Sequence, residues 1–195
     1  MKVGIFGGTF NPPHVGHLIV AEHVRTELSL DRILFVPAFI PPHKLNDDVV
    51  SSDHRVAMLK LAIKDNPGFE ISETELRRGG VSFTVDTLQG LTSQHPADEF
   101  VLLIGMDNLL EFHTWKSPAR ILELAKVVVM TRPGFSEKDN PLIGKVGVNL
   151  CSVPEIGISS TEIRKRVHEG RSIRYLVPDS VRDYLFQQNL YRTER

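Results

Sequence analysis

Short apolar runs, each followed by a helix-patterned stretch, recur almost from end to end of this 195-residue chain. Val3–Phe6 stops at Gly7-Gly8 and reads as a buried strand entering a tight loop. Leu18, Ala21, Val24 and Leu28 then recur at helical spacing. Further strands are expected at Ile33–Val36, Phe69–Ser72, Phe100–Ile104, Val127–Thr131 and Val146–Val153. Helices are expected after Ser51/Ser52, after a Ser82 cap, around Asn108–Phe112, over Ser117–Leu124, from Ser159/Ser160 to His168 and from Pro178 to Asn189. Ala38–Asp48 and Phe135–Gly144 read as irregular loops, expected to order when substrates bind. Alternation of this kind favours a mostly parallel sheet with helices on both faces, a doubly wound, Rossmann-like α/β domain. No repeat, low-complexity stretch or linker divides the chain, so residues 1–195 are expected to form one domain.

Composition narrows the function classes. A domain this long buries roughly 70% of its unfolded surface and needs no staple. Its hydrophobic fraction of 41% and charged fraction of 24% are those of a globular protein. With 23 basic and 24 acidic residues the net charge is −1, which argues against nucleic acid as a partner. The basic cluster Arg164-Lys165-Arg166, with Arg171 and Arg174, suits a small polyanion. No segment has the ~18 apolar residues of a membrane span, so no membrane partner is expected. The lone Cys151 fits a reducing, cytoplasmic setting and reads as a small buried hydrophobe. The sequence admits a homo-oligomer.

Ligands of open parallel sheets bind beyond the carboxyl ends of the strands. The first strand delivers Gly7-Gly8-Thr9-Phe10-Asn11-Pro12-Pro13-His14-Val15-Gly16-His17 to that edge. Glycines admit an anion close to the backbone, and a following helix N-terminus offers unpaired N–H groups. No Gly-Lys-Ser/Thr follows, and the glycine spacing is not that of a dinucleotide fingerprint. His14 and His17, three apart at a first helical turn, can face one phosphate, with Gly16 keeping the space between them free. Far along the chain, Gly157-Ile158-Ser159-Ser160-Thr161-Glu162-Ile163-Arg164 places three hydroxyls at a helix start and a guanidinium one turn in. A serine cap explains part of that pattern; the remainder suits a second phosphate half-site.

These two motifs, in this order, resemble the nucleotidyltransferase superfamily that includes the class I aminoacyl-tRNA synthetases. The chain is more closely similar to the bacterial nicotinate mononucleotide adenylyltransferases. That similarity adds Pro41-Pro42-His43-Lys44, Ser82-Phe83-Thr84, Ile104-Gly105-Met106-Asp107, Phe112 with Trp115, Arg132-Pro133-Gly134 and Leu190-Tyr191. Asn11 and Phe83 depart from it, standing where Asp and Tyr are common in the family.

The resemblance implies transfer of the ATP adenylyl group to nicotinate mononucleotide, giving deamido-NAD and pyrophosphate, with Mg²⁺ carried on the ATP phosphates rather than in a dedicated metal site. It makes His14, His17 and Arg164 catalytic. It assigns ATP to Gly8, Thr9, Phe10, His14, His17, Lys44, Gly105, Asp107, Ile158, Ser159, Ser160, Thr161 and Arg164. It assigns the acceptor to Lys44, Thr84, Trp115 and Arg132. Residue-level alternatives stand beside these roles: an N-cap for Asp107, a core or interface anchor for Trp115, a surface ion pair for Arg132. Rival functions are a sister nucleotidyltransferase using nicotinamide mononucleotide or phosphopantetheine, and a nucleotide sensor without turnover.

Overall fold

The computed structural model describes residues 1–40, 49–131 and 148–192. Six parallel strands form one sheet in the order β3-β2-β1-β4-β5-β6. They are β1 (Lys2–Gly8), β2 (Arg32–Pro37), β3 (Phe69–Ile71), β4 (Glu99–Gly105), β5 (Lys126–Thr131) and β6 (Asn149–Ser152). The helices are α1 (Val15–Glu27), α2 (Ser52–Ile63), α3 (Thr74–Arg78), α4 (Thr84–Gln94), α5 (Met106–Glu111), α6 (Pro118–Leu124), α7 (Ser160–His168) and α8 (Asp179–Gln187). The doubly wound, mostly parallel fold expected from the alternation is therefore present. Strand order reverses at β1, which pairs with β2 on one side and β4 on the other, with Ile5 opposite both Leu34 and Leu102. A crevice at that reversal is where open α/β sheets take their ligands.

Strands buried on both faces carry near-continuous apolar runs, as Phe100–Ile104 does here. One face packs Val85, Leu88, Phe112 and Ile121 from the helices after β3. The other packs Ala21, Val24, Leu59 and Ile63 from α1 and α2. A third cluster joins Met58 on α2 to Ile163, Val167, Val181, Leu185 and Leu190, docking α7 and α8 onto α2. That docking returns the chain's last sixth to the edge where β1 ends.

Two local expectations need correction, and one short helix was not foreseen. The segment Thr74–Arg78 is helical, too short to carry an amphipathic signature. Ser82 does not cap α4: Phe83 occupies the cap position, and the Ser82 hydroxyl accepts the Phe39 N–H at 2.9 Å. The last strand is shorter than Val146–Val153, and residues 146 and 147 lie outside the described residues. Ser51, rather than Ser52, caps α2 by accepting the His54 N–H. Both expected loops fall largely outside the described residues, as do Pro41-Pro42-His43-Lys44 and Arg132-Pro133-Gly134.

Leu185 is wholly buried in the α2/α7/α8 cluster. Leu185→Ala is expected to cost about 3 kcal/mol in urea unfolding, the usual size for a buried leucine truncation. A loss below about 1 kcal/mol would mean that α8 is not held by this cluster.

Candidate nucleotide site

The loop leaving β1 lacks sheet or helix partners, so its polar groups need side-chain partners or ligands. Phe10 sits there with φ 49°, a backbone region uncommon for a bulky residue. Its ring is 2% exposed and packs against Phe6, Phe35 and His17. Gly8 makes room for that ring, because a Cβ there would lie 2.9 Å from Phe10 Cζ.

His14 is the N-cap residue of α1 and His17 its third helical residue. Their rings stack with centroids 3.6 Å apart and planes 27° from parallel. A Cβ on Gly16 would stand 3.0 Å from His14 Nδ1 and 3.3 Å from Ile156, so only glycine permits this arrangement without a shift. His17 Nδ1 accepts the His14 backbone N–H at 3.2 Å. An imidazole accepting at Nδ1 carries its neutral-form proton on Nε2, which leaves His17 with a donor on its other edge. Among the described residues, His14 Nδ1 is buried without a hydrogen-bond partner. Burial also lowers the His14 pKa to about 4, so the ring is neutral at physiological pH.

The second motif closes on the first. Ser160 Oγ donates to the Pro12 carbonyl at 2.8 Å, and Arg164 Nη1 donates to the Asn11 carbonyl at 2.9 Å. Ser159 caps α7 through the Glu162 N–H, which accounts for that hydroxyl as a helix cap. Thr161 is exposed in the first turn of α7. The motifs are about 150 residues apart in sequence and in direct contact in space.

Two cavities flank this junction. One, of about 300 Å³, is bounded by Phe6, His14, Gly16, His17, Met130 and the 153–158 segment, including Ile158. The other, of about 450 Å³, opens beside Gly7, Gly8 and Thr9 and is lined by Phe83, Thr84, Asn108, Trp115 and Lys116. Thr84 stands at the start of α4, where first-turn N–H groups lack helical partners. Trp115 leans on Phe112 with centroids 5.4 Å apart and lines the same cavity, so it is both a core contact and a wall. Lys116 Nζ lies 4.8 Å above the Phe83 ring and 2.9 Å from Asp86.

Gly105 takes the N-cap position of α5, and Asp107 lies inside the first turn, exposed. The cap reading of Asp107 therefore fails. Among the described residues, no three His, Cys, Asp or Glu side chains converge as a metal site. Lys44 and Arg132 lie outside the described residues. Cys151 is buried, and burial raises its thiol pKa.

Two residues at the junction lie outside the two phosphate motifs, although Tyr191 belongs to the Leu190-Tyr191 pair of the family resemblance. Arg55, 2% exposed, reaches the Thr9 carbonyl at 3.0 Å from α2. Tyr191, beyond α8, donates to Asn11 Oδ1 at 2.6 Å. A signal for Arg55 was available: it shares the buried face of α2 with Met58 and Leu59, where a charged residue needs a reason.

A doubly wound sheet with two nucleotide-sized cavities astride a histidine-bearing loop defines a nucleotidyltransferase-type protein. The cytidylyltransferase-like family model matches residues 5–166. The "Probable nicotinate-nucleotide adenylyltransferase" of Salinibacter ruber is 45% identical over 192 residues, 98% of each chain. That of Geobacillus thermodenitrificans is 47% identical over 191 residues, 97% of this chain and 86% of the relative. The chain belongs to the nicotinate-nucleotide adenylyltransferase family. In fold it is similar to Plasmodium falciparum nicotinic acid mononucleotide adenylyltransferase complexed with NaAD, with a TM-score of 0.80 at 20% identity over 97% of each chain.

The depressed His14 pKa has a stability consequence. Unfolded chains take up a proton on this ring near pH 6.5, folded ones only near pH 4. Acid therefore favours the unfolded state across that window, and the full shift is worth about 3 kcal/mol. His14→Asn is expected to remove this component, so its stability should fall less than wild type between pH 7 and pH 4. Parallel pH–stability curves for the two proteins, measured by urea unfolding, would contradict the assigned shift.

Proposed function

We propose that this protein transfers the adenylyl group of ATP to nicotinate mononucleotide, as the names of its relatives indicate for them. The observation that carries the reading is the stacked His14–His17 pair lining one cavity, on a loop whose Gly7-Gly8-Thr9 segment lines the other. An oxygen of the acceptor phosphate attacks the α-phosphorus, the bond to the bridging oxygen breaks, and pyrophosphate leaves. The attacking oxygen is already anionic, so alignment and charge stabilisation supply the catalysis.

In this reading the cavity beside His14, Gly16 and Ile158 takes the adenosine half. The larger cavity takes the pyridine nucleotide, with Trp115 against the ring and N–H groups at Thr84 toward the carboxylate. His17 donates from Nε2 to the α-phosphate and the oxygen that becomes pyrophosphate. His14, neutral and stacked on it, contributes a second polar edge without adding repulsive charge. Arg164 through its remaining N–H groups, the Ser160 backbone N–H in the first turn of α7, and Lys44 belong with the outer phosphates, Arg132 and Asp107 with the nucleotides. Mg²⁺ entering on the triphosphate would offset phosphate charge.

Pyrophosphate release with ATP and Mg²⁺ is expected with nicotinate mononucleotide and to be much weaker with nicotinamide mononucleotide or phosphopantetheine. Release with another acceptor would retain the chemistry and replace the substrate. Silence with all three would favour a nucleotide sensor. His17→Ala is expected to lower kcat at least 100-fold, within the range for a lost transition-state donor. Near-normal turnover of that variant would remove His17 from the mechanism.

A further inference from the structure

Around the β1–α1 loop, a polar cluster joins Asn11 of the first phosphate motif to Arg55 and Tyr191, which lie outside both motifs. Asn11 is 3% exposed. Its Oδ1 accepts the Val50 N–H at 3.3 Å, which fixes the orientation of the amide, and the Tyr191 hydroxyl at 2.6 Å. Burial raises the Tyr191 pKa, which keeps that hydroxyl protonated and donating. Tyr191 itself has φ 60°, a left-handed backbone that turns the chain back toward the loop. Arg55 donates to the carbonyls of Thr9 at 3.0 Å, Val50 at 3.3 Å and Phe39 at 3.4 Å. Among the described residues it makes no ion pair with a carboxylate. A buried guanidinium costs a great deal to desolvate, and one spent on three carbonyls from separate segments acts as a fixed strut.

We infer that Arg55, Asn11 and Tyr191 form a positioning clamp that sets the β1–α1 loop for a triphosphate and makes the C-terminal segment part of the nucleotide site. The clamp grips Thr9 through its carbonyl and Asn11 through its side chain, while Arg164 and Ser160 hold the Asn11 and Pro12 carbonyls. The loop is thereby gripped from α2, α7 and the segment after α8, while His14 and His17 remain turned to the cavity. Val50 and Phe39 tie the same clamp to both ends of residues 40–49. Tyr191 reaches no phosphate; it acts through Asn11. The proposal rests on the reading that this site binds ATP.

Calorimetric titration of the full chain with ATP and Mg²⁺ tests the clamp without reference to the acceptor. Tyr191→Phe is expected to bind ATP at least fivefold more weakly, at unchanged stoichiometry and with a Tm close to wild type. Asn11→Leu, which also removes the Val50 bond, should lose at least as much, and the double variant should be no weaker than Asn11→Leu alone, since both substitutions remove the Asn11–Tyr191 bond. Asn11→Asp keeps an oxygen toward Val50 and Tyr191 and should stay nearer wild type than Asn11→Leu. Tyr191→Phe binding within twofold of wild type, or losses that multiply in the double variant, would overturn the clamp. Wild type that binds no ATP would overturn the underlying ATP reading and the clamp with it. Because Arg55→Met risks misfolding, the decision rests on the two milder variants.

Discussion

The constraint on which the site depends is the need to satisfy three carbonyls in a loop that belongs to no helix or sheet. Thr9, Asn11 and Pro12 present oxygens that neither β1 nor α1 can pair. Arg55, Arg164 and Ser160 pair them, from α2 and α7. Backbone groups buried without partners are expensive, so these side chains are required by the loop before any ligand arrives. Once the carbonyls face inward to those donors, the histidines and the glycine edge are left facing the cavities. The packing of α7 and α8 on α2 is what makes the donors available at the right place.

The same loop governs the electrostatics. Two imidazoles 3.6 Å apart would repel if both were protonated, and the burial of His14 prevents that. The pair is thus a neutral, polar surface rather than a second cationic clamp. Positive charge comes instead from guanidinium groups behind and beside the loop, held in place by carbonyls. Under the proposed reaction this would separate attraction from donation: arginines would supply the field, and His17 Nε2 a directed hydrogen bond. A net charge near zero is compatible with this arrangement, because only the local placement of charge matters.

The sheet was legible because parallel strands buried on both faces leave continuous apolar runs, as Phe100–Ile104 does, with turn residues between them. The meeting of His14 and His17 was legible because residues three apart at a first helical turn share a face. Thr74–Arg78 was not, since five residues carry less than two turns of pattern. Ser82 misled because a serine before a helix is ordinarily a cap, and only the fold brings the Phe39 N–H to it. Arg55 and Tyr191 contact the loop across 46 and 180 residues. No local rule encodes a partner at that separation; only the docked topology does.

The two sides of the junction differ in how tightly the protein itself dictates their shape. On the histidine side, Gly8 and Gly16 are demanded by internal packing against Phe10 and His14. On the larger-cavity side, a Cβ at Gly7 would meet no atom within 4 Å, and one at Gly105 only Asn108 Nδ2 at 4.0 Å. Internal sterics do not explain these two glycines, and neither has a positive φ that would. They stand at the carboxyl ends of adjacent strands, β1 and β4, where a ligand would approach the backbone. The histidine side is therefore rigid by its own packing, whereas the cavity side keeps space that the protein leaves unfilled. Under the proposed reaction, that division places the phosphate chemistry on the tightly packed side and acceptor selection on the open one, walled by Phe83, Trp115 and Lys116.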